Sequence, residues 1–442
     1  MNRRTFLQTG AGITALLLSK EAWTDMTNED LLAVAQERIK QHREGDGVVV
    51  VRSADGSSLA GATVKVEQVR HDFLFGCNLF RFAHISDPQR EEEYRQRFAA
   101  LLNYGTLGFY WAGYEPERGK PRYEYTDQVV DWCHQNRITV KGHPLAWDHP
   151  ASSPNWLPDN VEEIERLSTG RVRDIISRFK GRIDIWDVVN EPTDLTRFSN
   201  PMNTWARQLG GVPFTALHLK IARAANPGAT LLVNDYRTDP PYFDILNGLR
   251  AGGKLPFDAI GIQSHMQRGG WPLQRVWEVC DNYSYFGVPI HFTETTIVSG
   301  PRLPSPIRGG AGEGVWGPTT PEGEAAQADY VPQFYTMLFA HPAVQAVTWW
   351  DFSDDGAWQG APAGWLREDM SPKPVYEQLM ALIKGEWWTK TQGHTNAQGE
   401  FHTRAFHGTH HLTAQLPNGR TVTKDVHWER GKVNRFEIVI GG

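Results

Sequence analysis

The stretch Ile183-Asp184-Ile185-Trp186-Asp187-Val188-Val189-Asn190-Glu191-Pro192 decides how this chain is read. Its apolar and β-branched core is that of a short buried strand, closed by an amide, a carboxylate and a proline that cannot continue it. Helical patterns flank it at 161–179 and 214–225. Outward in both directions the same grammar recurs. Strand-like runs stand at 73–79, 104–109, 139–145, 183–189, 230–234, 259–263, 289–293 and 346–350. Between them lie further helical segments at 90–102, 125–135, 273–285 and 325–339. Eight strand–helix units predict an α/β fold, a closed (β/α)8 TIM barrel over 71–385, rather than an open doubly wound sheet. No glycine-rich phosphate loop follows any strand, which excludes the main nucleotide-binding alternative.

The two ends read differently. From residue 386 short strands at 401–405, 411–416, 421–426 and 436–440 alternate with Gln398-Gly399 and Asn418-Gly419 turns, predicting a small all-β sandwich over 386–442. Over 27–70 a helix at 31–41, capped by Thr27, precedes strands at 48–52 and 62–69. These two strands lack an obvious partner before the barrel, so both ends are expected to join in one sandwich with the barrel inserted. Residues 1–26 carry Arg3-Arg4-Thr5-Phe6-Leu7 and a short Gly-interrupted apolar run. That reads as a twin-arginine export signal, implying a periplasmic or secreted protein with no membrane span in its mature form. Cys77, Cys133 and Cys280 have neither disulfide nor zinc spacing and are expected to be buried small hydrophobes.

The 442 residues carry a formal net charge of −6 and no basic block, which argues against nucleic acid or an anionic membrane as partner. Against that plain background stand 17 Trp, 13 Tyr and 20 Phe, a supply of flat amphipathic rings that suits carbohydrate. In a barrel, chemistry gathers at the C-terminal strand ends. Those ends carry His143, Trp147, Asn190, Glu191, Asn234, Gln263, His265, Glu294, Trp350 and Asp351. Glu191 closes strand four and Glu294 strand seven, on opposite walls of the mouth. Two opposed carboxylates, one protonated and one ionised, are what glycosidic bond cleavage requires.

The motifs Gly142-His143-Pro144-Leu145-Ala146-Trp147, Trp186 to Glu191, Gly261-Ile262-Gln263-Ser264-His265, Thr293-Glu294 and Trp350 to Trp358 resemble glycoside hydrolase family 10, chiefly retaining endo-β-1,4-xylanases. The resemblance implies Glu191 as general acid/base and Glu294 as nucleophile. It also implies that Asn190 bonds the sugar 2-hydroxyl and that His265, with Gln263, orients and ionises Glu294. His143, Trp147, Trp350 and Trp358 would enclose the sugar, with Trp111 and Tyr110 beside them. Retention implies carboxyl groups about 5–5.5 Å apart. The implied partner is a β-linked plant polysaccharide or oligosaccharide, with no cofactor and no metal.

Departures from the family pattern cluster on the glycone side. Thr106, Leu107 and Tyr110 stand where the family carries Glu, Asn and Lys. Asp148, Pro150 and Thr296 replace its usual His, Gln and Asp. An exo-acting or decorated-substrate β-glycosidase, acting on another glycan or an aryl glycoside, is therefore the second reading; a non-hydrolytic glycan-binding protein is the third. The Gly- and Pro-rich segment 300–323 is expected to overhang the mouth as a lid or wall, or to be an insertion without a role. His394, His402, His407, His410, His411 and His427 lack carboxylate or cysteine partners at ligand spacing, so packing is favoured over metal binding. Trp387, Trp388 and Trp428 are read as core or interface rings before a sugar platform. Asp184 and Asp187 are read as structural hydrogen-bonders.

Overall fold

The computed structural model describes residues 26–303 and 315–441. The proposed signal therefore lies outside the described residues except for Met26, and so does the stretch 304–314 of the Gly/Pro-rich segment 300–323.

The chain enters through helix α1 (Asn28–Arg43), whose Thr27 accepts from the Asp30 backbone in a capping box. Strands β1 (Glu44–Ser53) and β2 (Thr63–His71) follow. The barrel strands are β3 (Leu74–Asn78), β4 (Tyr104–Gly108), β5 (Thr139–His143), β6 (Ile185–Asn190), β7 (Thr230–Asp235), β8 (Ala259–Ile262), β9 (Ile290–Thr295) and, after a two-stranded hairpin of β10 (Arg302–Leu303) and β11 (Val315–Trp316), β12 (Val344–Trp349). They close in the order β12-β3-β4-β5-β6-β7-β8-β9, every neighbour parallel. β7 is fully buried from Leu231 onward and β8 and β9 are buried at every position, as a strand walled in by helices must be. The helices α2 (Pro88–Leu101), α4 (Tyr123–Gln135), α5 (Val161–Phe179), α7 (Gly211–Ala225), α8 (Pro240–Gly248), α9 (Leu273–Ser284) and α10 (Pro321–Ala340) intervene, with the shorter α3 (Trp111–Tyr114) and α6 (Pro201–Leu209) at the mouth and α11 (Pro374–Ala381) after β12.

The remaining strands are β13 (Lys390–His394), β14 (Glu400–Phe406), β15 (Gly408–Gln415), β16 (Thr421–Trp428) and β17 (Asn434–Ile440). They form two sheets, β14-β1-β17 and β13-β2-β15-β16. β1 and β2 are thus interior strands of the two sheets, each paired on both sides by segments more than 300 residues away. Val49, Val51, Val64, Val66, Leu412 and Trp428 fill the space between the sheets. The sandwich is fastened to the barrel by burial of Trp387 against Phe75 and Phe339. Arg43 adds to this: its guanidinium donates to the carbonyls of Phe339, His341 and Val344 at 2.6–2.7 Å. A buried cation spending its donors on carbonyls at the end of α10 and the start of β12 satisfies both the cation and the helix end.

Candidate active site

The mouth of the barrel is built from alternating inward positions. On β5, Lys141 and His143 are two apart and face the same way. Lys141 Nζ lies 2.6 Å from Asp187 Oδ2 of β6, off the line of a hydrogen bond, and both side chains are wholly buried. His143 Nδ1 shares that oxygen at 2.8 Å, and its Nε2 lies 3.8 Å from Glu294 Oε1. Burial works to raise the Asp187 carboxyl, but Lys141 and then His143 outweigh it and hold the group below its ordinary value.

Above this charged column sits an amide relay. Asn234, at the end of β7, donates through Nδ2 to Glu294 Oε1 at 2.6 Å and to Asn190 Oδ1 at 2.7 Å, while Thr293 donates to its Oδ1 at 2.6 Å. Gln263, just after β8, donates to Glu191 Oε1 at 3.0 Å and to Asn190 Oδ1 at 3.3 Å. Both donors converge on one oxygen of Asn190, which fixes its amide and leaves Nδ2 without a partner among the described residues. The close approach of Asn234 depends on Gly261: a Cβ there would lie 2.4 Å from Asn234 Oδ1.

The two carboxylates live in different surroundings. Glu294 lies at the end of β9 with His265 Nε2 3.2 Å from its Oε2. Burial pushes its acid constant up, but His143, His265 and Lys141 more than offset this and hold it below the ordinary glutamate value. Glu191 follows β6 with a left-handed backbone, φ 54°, held by its amide donating to the Asn234 carbonyl at 2.8 Å. Burial raises its constant, with Glu294 adding to the rise; the Gln263 bond and Arg197 only partly oppose them. The two acids are thereby pushed in opposite directions, the pattern that separates a proton donor from an anion.

Aromatic rings frame the pair. Trp350 is buried and meets His143 and His265 edge-on at 5.4 and 5.8 Å. Trp358, 39% exposed, lies nearly parallel to His265 at 4.5 Å. Its backbone N–H is held by Asp351, whose carboxyl burial pushes up to about 7. Trp147 stacks on His149 at 4.1 Å, and half-buried Tyr110 touches both His143 and Trp147.

Two expected positions are corrected. Trp111 is buried to 2% exposure, donates to Glu115 at 2.8 Å and packs edge-on against Trp156, so it supports the wall and does not line the mouth. The Gln263 side chain is bonded to Glu191 and meets Glu294 only through the backbone, its carbonyl accepting from the Glu294 N–H at 3.0 Å; of the two side chains, His265 reaches the Glu294 carboxylate. Three residues gain roles the linear pattern did not assign: Asn234 as the bridge between the walls, Lys141 as the cation beside Asp187, the hydrogen-bonder that supports His143, and Arg197, which donates to Glu191 Oε2 at 2.6 Å. The alternation Lys141-Gly142-His143 was the available sign for Lys141, since a lysine on a buried strand needs a counter-charge. Among the described residues no group of three His, Cys, Asp or Glu side chains could hold a metal ion. Trp387 and Trp428 are buried at 1% and 0% exposure, so neither offers a sugar platform.

A closed barrel with two unlike carboxylates at strand ends four and seven, framed by indoles, defines a site of the glycoside hydrolase class. The glycosyl hydrolase family 10 model matches residues 70–382, and the chain belongs to that family. It is 26% identical to endo-1,4-beta-xylanase B of Thermotoga neapolitana, over 69% of this chain and 86% of that one. It is likewise 26% identical to endo-1,4-beta-xylanase 1 of Arabidopsis thaliana, over 86% of this chain but only 38% of the plant protein's length. Among solved structures, xylanase 10B of Thermotoga petrophila RKU-1, in complex with xylobiose, superposes with a TM-score of 0.59 at 23% identity, covering 71% of this chain and 95% of that one.

Proposed function

We propose that the chain is a retaining glycoside hydrolase that cleaves β-1,4-xylosidic bonds in xylan-type polysaccharide by double displacement. Glu191 protonates the departing glycosidic oxygen while the Glu294 carboxylate attacks the anomeric carbon; Glu191 then takes a proton from the water that releases the sugar. The observation that carries this reading is the opposed environment of the two glutamates, one raised and one lowered, coupled through Asn234, Asn190 and Gln263. The free Nδ2 of Asn190 supplies a donor for a sugar hydroxyl as the ring flattens. Anomeric analysis of the first-formed product from xylo-oligosaccharides tests it: β-product supports retention, α-product overturns it.

A second reading, exo or decorated-chain action, is favoured by one feature. Phe80 meets Tyr110 and Trp350 edge-on at 5.8 and 5.3 Å, raising an aromatic wall where the family keeps polar glycone contacts. Products from xylan, arabinoxylan and mixed-linkage glucan distinguish the two, since monosaccharide alone identifies exo action. Export through Arg3-Arg4 is part of the same proposal; replacing both by lysine in the native host would retain the protein in the cytoplasm.

A further inference from the structure

Arg197 lies in the loop between β6 and α6, and its Nη1 donates to Glu191 Oε2 at 2.6 Å. The guanidinium rests over Phe198 and Tyr236 at 5.0 and 5.1 Å and remains 39% exposed. The other carboxylate oxygen, Oε1, is taken by Gln263, which is buried and tied to Asn190. Each oxygen of Glu191 thus already receives an N–H.

Protonation of Glu191 turns Oε2 from a charged acceptor into a donor aimed at the leaving group, and a hydroxyl oxygen holds a guanidinium far less firmly than a carboxylate oxygen does. The less firmly anchored of the two donors is the one that gives way. Gln263 is locked into the amide relay. Arg197 is half in solvent, has two ring faces to rest on, and loses little when water replaces the carboxylate.

We infer that Arg197 is the positioning residue that cycles Glu191 between its two roles, leaving Oε2 when the aglycone enters and returning when it departs. This rests on the proposed double displacement. In the first half-reaction Glu191 gives its proton to the glycosidic oxygen as the C–O bond breaks and Glu294 bonds to carbon. In the second, water adds to that carbon, its proton passes to Glu191, and Glu294 leaves as carboxylate. Arg197 takes no proton at either stage; it favours the ionised Glu191 that the second half-reaction needs. Glu294 and His265 face Glu191 across the mouth, Asp148 and Asp235 from neighbouring strand ends, and Tyr110 and Tyr236 from the rim. Of these groups Arg197 is the cation in direct contact.

The test is a carboxyl NMR titration of glutamate-labelled protein, with Glu191→Gln assigning the resonance, alongside pre-steady-state turnover of a 2,4-dinitrophenyl β-xyloside. Arg197→Met is expected to raise the Glu191 midpoint by about one pH unit, with Arg197→Lys between it and wild type. Release of the sugar should slow about tenfold while phenolate release continues, so that a burst appears, because a tenfold change corresponds to one unit. A Glu191 midpoint that does not move, with turnover intact, overturns the role of Arg197. Failure of the wild type on every β-glycoside overturns the hydrolase reading instead, and the titration, needing no substrate, still separates the two.

Discussion

His143 Nδ1 and Asp187 Oδ2 lie 2.8 Å apart in a fully buried contact, so the imidazole facing Glu294 is held from behind by a carboxylate that also neutralises Lys141. The pair ties the barrel's buried charge to its reacting group: Asp187 fixes which face of His143 is offered, and His143 with Lys141 supplies the field that keeps Glu294 ionised.

Asp187→Asn removes the counter-charge and leaves Lys141 unpaired at 0% exposure. Loss of about 3–5 kcal/mol of stability is expected in denaturant unfolding, with partial recovery in the Lys141→Met/Asp187→Asn double variant. A single variant as stable as wild type would show that the charges are not interdependent.

Gly261→Ala places a methyl 2.4 Å from Asn234 Oδ1 and must push the amide out of its bridge. Activity should fall by roughly a hundredfold with little change in circular dichroism, and Asn234→Ala should match it, since both disturb the geometry of the reacting groups. Retention of full activity in Gly261→Ala would mean that the bridge is dispensable.

The pH profile of kcat/KM should be bell-shaped. Glu294 must be ionised, so activity falls as pH drops through its depressed constant. Glu191 must be protonated, so activity falls as pH rises through its elevated one. Glu191→Gln, with an activated aryl leaving group that needs no proton, should lose the alkaline limb and keep the acid limb. Persistence of both limbs would assign the alkaline limb to another group.

Deleting residues 387–442 strips β1 and β2 of every sheet neighbour. The truncated chain should aggregate or melt well below the full chain, because Val49, Val51, Val64 and Val66 lose their cover. A soluble barrel with an unchanged Tm would show that the sandwich is a detachable module.

Much of this was legible in the linear pattern because barrel strands are short, apolar and regularly spaced: the run read at 183–189 is β6, Ile185–Asn190, and that at 289–293 is β9, Ile290–Thr295. Glu191 and Glu294 stood out because strand ends concentrate chemistry. α6 and α8 escaped notice because each is nine residues long, and β13 because Lys390–His394 alternates only polar, half-exposed residues. Trp111 was misplaced because an indole near a strand end looks the same in sequence whether it faces sugar or Trp156. Arg197 was invisible for a related reason: its partner depends on how the loop after β6 folds back over its own strand end.

Trapping the glycosyl-enzyme with an activated 2-deoxy-2-fluoro-β-xyloside, followed by intact mass and peptide mapping, tests the assignment of Glu294 as nucleophile. The expected result is one fluoroxylosyl adduct on the peptide containing Glu294, absent in Glu294→Ala. An adduct on Glu191, or turnover of the fluorinated sugar with no adduct formed, would contradict it.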